Sequence, residues 1–382
     1  MTRFGKYRDT SIKELAGRAI DAALADGELT RTDIDMAFVA NAMAAITTGQ
    51  VSIVGQSILR ANHFAGIPVY NVDNACAGSS SALNLALHAV GCGAAQRVLV
   101  VGVEKLLAAD RATTYRAING AADIDFLADS GVNPASQSVF VAAVYPPRLA
   151  AYTERYRLER ETLARIAVKN RGHAALNPLA QFTSPLTVEE VLASRVVAEP
   201  ITALMCAPIG DGAAAVVVSS ADRVRGRKRA VWVRGSAVGM ASNGKDSTVR
   251  RVASQAYRQA GIEPEDLDVV EVHDSTAFNE LLAYEELGLC EAGRGSDLVE
   301  SGTTSLHEGR LPVNPSGGLE SRGHPVAATG LAQVIELVTQ LRGEAGPRQV
   351  PAARHALAEN AGGFAGGDTA AVAVTVLSTE KG

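Results

Sequence analysis

Apolar residues recur at helical spacing over residues 12–25 and 50–64, with a β-like stretch at 35–39 between them. A second β-like stretch at 68–72 gives way to a turn of small residues and then to an apolar helix pattern, all within NVDNACAGSSSALNLALHAV. The run RVLVVGV at 97–103 is continuous and β-branched, which predicts a strand covered on both faces in a parallel or mixed sheet. From about 105 to 200 the pattern becomes more polar and irregular, with helical pieces at 139–156 and 161–172, and reads as an inserted cap. Alternation resumes with GAAAVVVS at 212–219, passes a charged link at 222–229 and continues as a strand at 230–238. DVVEV at 268–272 opens a second strand, turn and helix unit, followed by closing units at 314–341 and 370–377. This succession predicts an α/β chain of two similar halves, 1–230 (holding the cap) and 231–382, with helix-initiating turns brought face to face.

Composition agrees with a compact, well-buried protein: 47% of 382 residues are hydrophobic, 20% are charged and only 4% aromatic, so alanine and 36 glycines do much of the packing. A net charge of −5 gives no electrostatic reason to expect nucleic acid or an anionic membrane as partner. Cys76, Cys92, Cys206 and Cys290 form no C-x-x-C pair, so neither a metal ribbon nor a disulfide framework is indicated, no metal is expected, and a reducing cytoplasm is the expected compartment. The sequence carries no charged-then-apolar leader and no apolar run long enough to span a bilayer. GGFAGG at 362–367 lacks the spacing and the acidic partner of a dinucleotide loop.

Cys76 is the first candidate for chemistry. Its place at a helix N-terminus offers unpaired N–H groups and the positive end of the helix dipole, which favour thiolate over thiol. Two readings stand on this residue alone: a nucleophile for covalent acyl chemistry, and a packed core cysteine.

Four segments decide between them: Asn74-Ala75-Cys76-Ala77-Gly78-Ser79, His273-Asp274-Ser275-Thr276, the run from Gly317-Gly318 to Gly323-His324-Pro325, and Glu359-Asn360-Ala361-Gly362-Gly363. In this order and spacing the chain resembles the thiolase superfamily over nearly its whole length, and most of all the sterol-carrier-protein type, whose second motif begins His-Asp where ordinary thiolases have Asn-Glu. The resemblance implies a five-layered αβαβα fold of two duplicated halves with a loop domain inserted in the first, assembled as a homodimer. It implies coenzyme A or acyl-CoA as substrate and no covalently bound cofactor. By the same resemblance Cys76 takes the acyl group, His324 activates the thiol and helps hold the thioester oxygen, and His273 stands in the place of the oxyanion-hole asparagine. An imidazole near neutrality can accept a thiol proton and then donate to an oxyanion, which agrees with these roles. Asn314 and Ser316 read as loop-shaping residues.

The match is incomplete. Thiolases carry a second cysteine that moves the proton at the substrate α-carbon, from a C-terminal Cys-x-Gly-Gly motif or from His-Asp-Cys-Phe; Glu359 and Ser275 are read at those places, and Cys206 and Cys290 fall in neither. Glu359 then reads either as a base of tuned pKa or as a solvent-facing cap. The order Gly78-Ser79 reverses the common Ser-Gly, and Ala327 replaces a usual glycine. Thr2 to Gly5 resembles the segment after the first β-strand, so a central, Val/Ile-rich strand is expected about ten residues upstream. Three functions are therefore weighed: an acyl-CoA acyltransferase working through Cys76, a retro-aldolase on a β-hydroxyacyl-CoA, and a non-catalytic acyl-CoA-binding subunit. Aldolases of this kind use tyrosines, and Tyr284 lies near the second motif without anything in the sequence to aim it. Relatives of both catalytic sorts often need a small OB-fold, zinc-ribbon companion, which this chain does not supply.

Overall fold

The computed structural model describes residues 1–224, 229–242 and 247–381; part of the charged link expected at 222–229 lies outside them. The strands run β1 (Met36–Ala40), β2 (Val69–Val72) and β3 (Arg97–Glu104), then the small hairpin of β4 (Val196–Ala198) and β5 (Ile201–Thr202), then β6 (Gly212–Ser219). They continue with β7 (Trp232–Met240), β8 (Val269–Glu271), β9 (His355–Ala365) and β10 (Asp368–Ser378). One sheet has the order β2-β1-β3-β6 and the other β7-β10-β9-β8.

The two sheets sandwich the helices Gly78–Gly91 and Thr329–Leu341, and further helices cover their outer faces, which makes five layers. The strand at 97–103 shows why the run had to be continuous. Val98 and Val100 face the central helices, while Leu99, Val101 and Val103 face the outer layer packed on Ile12–Asp26, so both faces exclude water. Val372, Val374 and Val376 play the outward part in β10.

The halves correspond strand by strand, though not in the way the sequence pattern indicated. β1 and β3 are parallel and β3 and β6 antiparallel, just as β8 and β9 are parallel and β9 and β10 antiparallel. A parallel bridge from Val270 to Val313 then puts Val313 in the position of β2. The counterpart of the Cys76 unit is thus the segment from Val313 through the helix Thr329–Leu341, and the 268–286 unit matches β1 instead. The same correspondence corrects only the central place expected for a first strand. Its counterpart, β7, is an edge strand beside β10, and the matching side of β6 carries Thr2, whose N–H donates to Ala213 O at 2.8 Å, and Gly5, bridged to Asp211.

Strand β9 was not legible, because Glu359, Asn360 and two glycines break its apolar pattern; it is nonetheless interior, paired on both sides. Gly362 shows what that position demands. A Cβ there would lie 2.3 Å from Asn74 O and 2.6 Å from the amide nitrogen of Ala77, both backbone atoms of the Cys76 turn. Gly362→Ala should therefore shift that turn, lower stability by about 1–3 kcal/mol and slow alkylation of Cys76. Denaturant melts with thiol labelling check this, and an unchanged midpoint and labelling rate would contradict it.

Candidate active site

Cys76 sits in a single 3-10 turn, Ala75–Ala77, between β2 and the helix Gly78–Gly91. Ala75 is held at φ +48°, left-handed backbone that costs about 1–2 kcal/mol for a residue with a Cβ. Asp73 Oδ1 accepts the Ala75 N–H at 2.9 Å and secures the bend. The N–H groups of Gly363 and of Cys76 itself point at the sulfur. Burial nevertheless dominates: it pushes the Cys76 thiol up to about 12, helped by the buried Glu104 carboxyl and only partly offset by those two donors. The helix N-terminus alone predicted a thiolate; desolvation overrides it and keeps the sulfur protonated in the resting protein.

His273 and His324 meet over this thiol. Their ring centroids are 5.2 Å apart at 84°, and one nitrogen of each lies within 4.8 Å of the other and of Cys76 Sγ. Asn360 Nδ2 donates to His273 Nδ1 at 3.1 Å, with Asn360 Oδ1 held by Ser80 Oγ. That leaves the His273 proton on Nε2, a donor available to the site. His324 Nδ1 contacts Thr329 Oγ1 at 2.7 Å, and the threonine hydroxyl can donate onward to Pro325 O. In that arrangement Nδ1–H is the donor and His324 Nε2 keeps a free lone pair. Burial and the Arg322 charge lower His324 to about 3; burial, His324 and Arg322 take His273 well below its ordinary value. Both rings are neutral.

The scaffold behind the rings ties the second and third motifs together. Asp274 accepts N–H groups of Leu319 and Glu320 at the start of the short helix that leads into His324. A Cβ on Gly318 would fall 2.1 Å from Asp274 Oδ2, so the glycine lets this carboxyl in. Asn314 and Ser316 are fully buried and bond Val272 N and Glu271, in keeping with a loop-shaping part.

Cys76, His273, Ser275 and His324 all line one cavity of about 830 Å³, together with Cys206, Tyr145 and Asn279. Ser275 Oγ lies 2.8 Å from the Tyr145 hydroxyl and accepts from Asn279 Nδ2 at 2.7 Å. Tyr145 comes from the inserted segment, and nothing local in the sequence marks it. Tyr284 is elsewhere: fully buried, with its hydroxyl on Glu280. Glu359 is neither in the cavity lining nor a solvent-facing cap. It is 2% exposed, accepts the backbone N–H of His273 at 2.8 Å, and is raised to about 8 by burial. Counting Cys-x-Gly-Gly back from Gly362-Gly363 lands on Asn360, the residue that orients His273, so the motif register held a signal that placing Glu359 there overlooked.

The sulfur and two imidazole nitrogens also form a donor set that suits zinc. A metal there would occupy the same atoms that make the thiol and imidazole an acid–base pair. Lys6, Arg8 and Arg111 are exposed, line the cavity and offer positive charge to an anionic ligand. No helix among the described residues is long and apolar enough to cross a membrane.

Comparison with known proteins bears on the family. Residues 1–222 match the model of the thiolase N-terminal domain and residues 230–378 that of the thiolase C-terminal domain. Acetyl-CoA acetyltransferase of Methanothermobacter thermautotrophicus is 38% identical, over 97% of this chain and 96% of that protein. Human sterol carrier protein 2 is 36% identical, over 95% of this chain and 68% of that protein. Among solved structures, the Ltp2-ChsH2(DUF35) aldolase superposes with a TM-score of 0.81 at 24% identity, over 100% of this chain and 96% of its own, which bears on the fold alone. Two family models that together span the chain, with full-length relatives above 30% identity, give the conclusion: this chain belongs to the thiolase family.

Proposed function

We propose that the protein is a thiolase-type acyltransferase that cleaves or forms the carbon–carbon bond of a β-ketoacyl-CoA through an acyl group carried on Cys76. The observation that carries this reading is the convergence of Cys76 Sγ with the ring nitrogens of His324 and His273 within 4.8 Å. In the cleavage direction His324 Nε2 takes the thiol proton as sulfur attacks the β-keto carbonyl. The N–H groups of Cys76 and Gly363, already aimed at the sulfur, are placed to meet the resulting oxyanion. When the Cα–Cβ bond breaks, the acyl group stays on sulfur and the departing thioester leaves as an enolate, whose oxygen can accept from Nε2–H of both histidines. The enolate carbon then takes a proton, and the thiol of a second coenzyme A releases the acyl group from Cys76.

Ser275 holds the place of the proton-moving cysteine, and serine alone is a poor acid. Its contact with Tyr145 supplies a better one: burial raises this phenol to about 12, so it stays neutral and able to donate. The same contact favours a second reading, retro-aldol cleavage of a β-hydroxyacyl-CoA, in which no acyl group is borne by sulfur. Assembly belongs to the proposal as well. A homodimer is supported by the free edge of β2 with exposed Tyr70, and a companion subunit by the DUF35 partner named in the solved aldolase complex.

Intact-mass measurement after incubation with β-ketoacyl-CoA should show one acyl group, absent from Cys76→Ala, and that variant should lose all thiolysis. Retained turnover in Cys76→Ala would instead establish the aldolase reading, and binding without cleavage a non-catalytic subunit. Tyr145→Phe should slow thiolysis by about 10²-fold or more while leaving adduct formation intact; unchanged turnover would remove Tyr145 from the proton path. The alkylation rate of Cys76 should rise about tenfold per pH unit from 7 to 10, because the thiolate fraction grows until the pH reaches the raised pKa. A plateau near pH 7 would mean a thiolate-poised sulfur.

A further inference from the structure

The inserted segment sends one buried cation into the cavity without an ion-pair partner. Arg171, on the helix Arg160–Ala175, is 7% exposed and lines the same cavity as Cys76 and His324. The other buried arginines and lysine are all paired: Arg322 with Glu271 at 3.0 Å, Arg348 with Glu336 at 2.9 Å and Lys105 with Asp211 at 2.9 Å. Arg171 has only a 2.9 Å hydrogen bond from Nε to Ser321 Oγ and a ring face, with its guanidinium carbon 5.1 Å from the centroid of Phe182. Among the described residues its two terminal nitrogens have no hydrogen-bond partner and no carboxylate within ion-pair reach.

A largely buried guanidinium without a carboxylate partner is costly, so a ligand entering the cavity is the natural source of the missing anion. The geometry is set for one. Nε is tied, one face is stacked, and the outer edge with its two parallel N–H groups is left free, which is the fork that grips a carboxylate. Glu320, the acid beside it, does not cancel the charge. Burial and Glu280 raise it to about 8, so it is mostly protonated at neutral pH, and its Oε1, which also has no partner, can add an O–H donor to the same anion. Backbone bonds from Gln181 and Phe182 to Arg322 and Ser321 fix this corner against the segment that carries His324.

We infer that Arg171 binds a carboxylate on the acyl chain, and that the preferred substrate is a β-ketoacyl-CoA whose acyl part ends in a second acid group. This rests on the acyl-CoA reading above. The phosphates of coenzyme A are the other anion within reach, but they are polyanionic and suit the exposed Lys6, Arg8 and Arg111, whereas Arg171 is a single, largely buried cation.

The test compares β-ketoacyl-CoA esters of matched length ending in a carboxylate or in a methyl group, across a chain-length series. Wild type should favour the carboxylate-ended member by at least about tenfold in kcat/KM at its best length. Arg171→Met should abolish the preference through KM while leaving the methyl-ended ester unchanged or improved, and Arg171→Lys should restore part of it. An equal loss for both esters would assign Arg171 to the coenzyme A phosphates or to folding, and no preference in wild type would show that the pocket takes no acid; either overturns the inference. Calorimetric binding of the same pairs to wild type and to Arg171→Gln separates this from the proposed reaction. A carboxylate preference in binding upholds the inference even if neither ester is cleaved, and its absence overturns the inference even if both are.

Discussion

The contact on which the rest depends is backbone against backbone: Gly362 of β9 lies against Asn74 O and the Ala77 amide, with no room for a side chain between them. Through it the second half of the chain presses on the turn that carries Cys76 in the first. It brings the Gly363 N–H to the sulfur and sets Asn360, two residues earlier, behind His273. The central helices repeat the theme, since a Cβ on Gly330 would lie 2.0 Å from Ser80 Oγ, and that hydroxyl in turn orients Asn360. Close packing across the pseudo-symmetric junction is therefore what aims each donor.

The same packing strips water from around the thiol and the imidazoles, and this desolvation sets their chemistry. With the thiol up at about 12 and His324 down at about 3, the resting pair is neutral, so the ion pair of a poised cysteine and histidine is not the ground state. Charge arises only as substrate reacts. Donors already in place, from His273 Nε2 and from two backbone amides, are then worth most, because their surroundings are of low dielectric. The buried acids around the site follow the same rule: Glu104, Glu271, Glu320 and Glu359 are all raised by burial and held by surrounding N–H and side-chain donors.

Much of this was legible in the sequence where one residue type has one physical use. RVLVVGV could only be a strand covered on both faces, and Gly-His-Pro after a glycine pair marked His324. What could not be read depends on long-range contact. Tyr145 reaches Ser275 across 130 positions, and Arg171 is unusual only because no carboxylate closes to ion-pair distance with it in space. Strand β9 was hidden because its site-forming residues, Glu359, Asn360, Gly362 and Gly363, are those that spoil a strand's apolar pattern. The thiolate expected at a helix N-terminus failed for a related reason. A dipole can be inferred from local pattern, whereas the depth of burial that opposes it cannot.

The central claim is that Cys76 bears the acyl group with its carbonyl oxygen between the N–H groups of residues 76 and 363. A crystal structure of protein frozen during turnover with a slow β-ketoacyl-CoA tests it most directly. The account predicts continuous density from Cys76 Sγ to an acyl carbon whose oxygen sits within hydrogen-bond distance of both amides. An intact thioester beside an unmodified Cys76, with its reacting carbon directed at Tyr145 and Ser275, would contradict it.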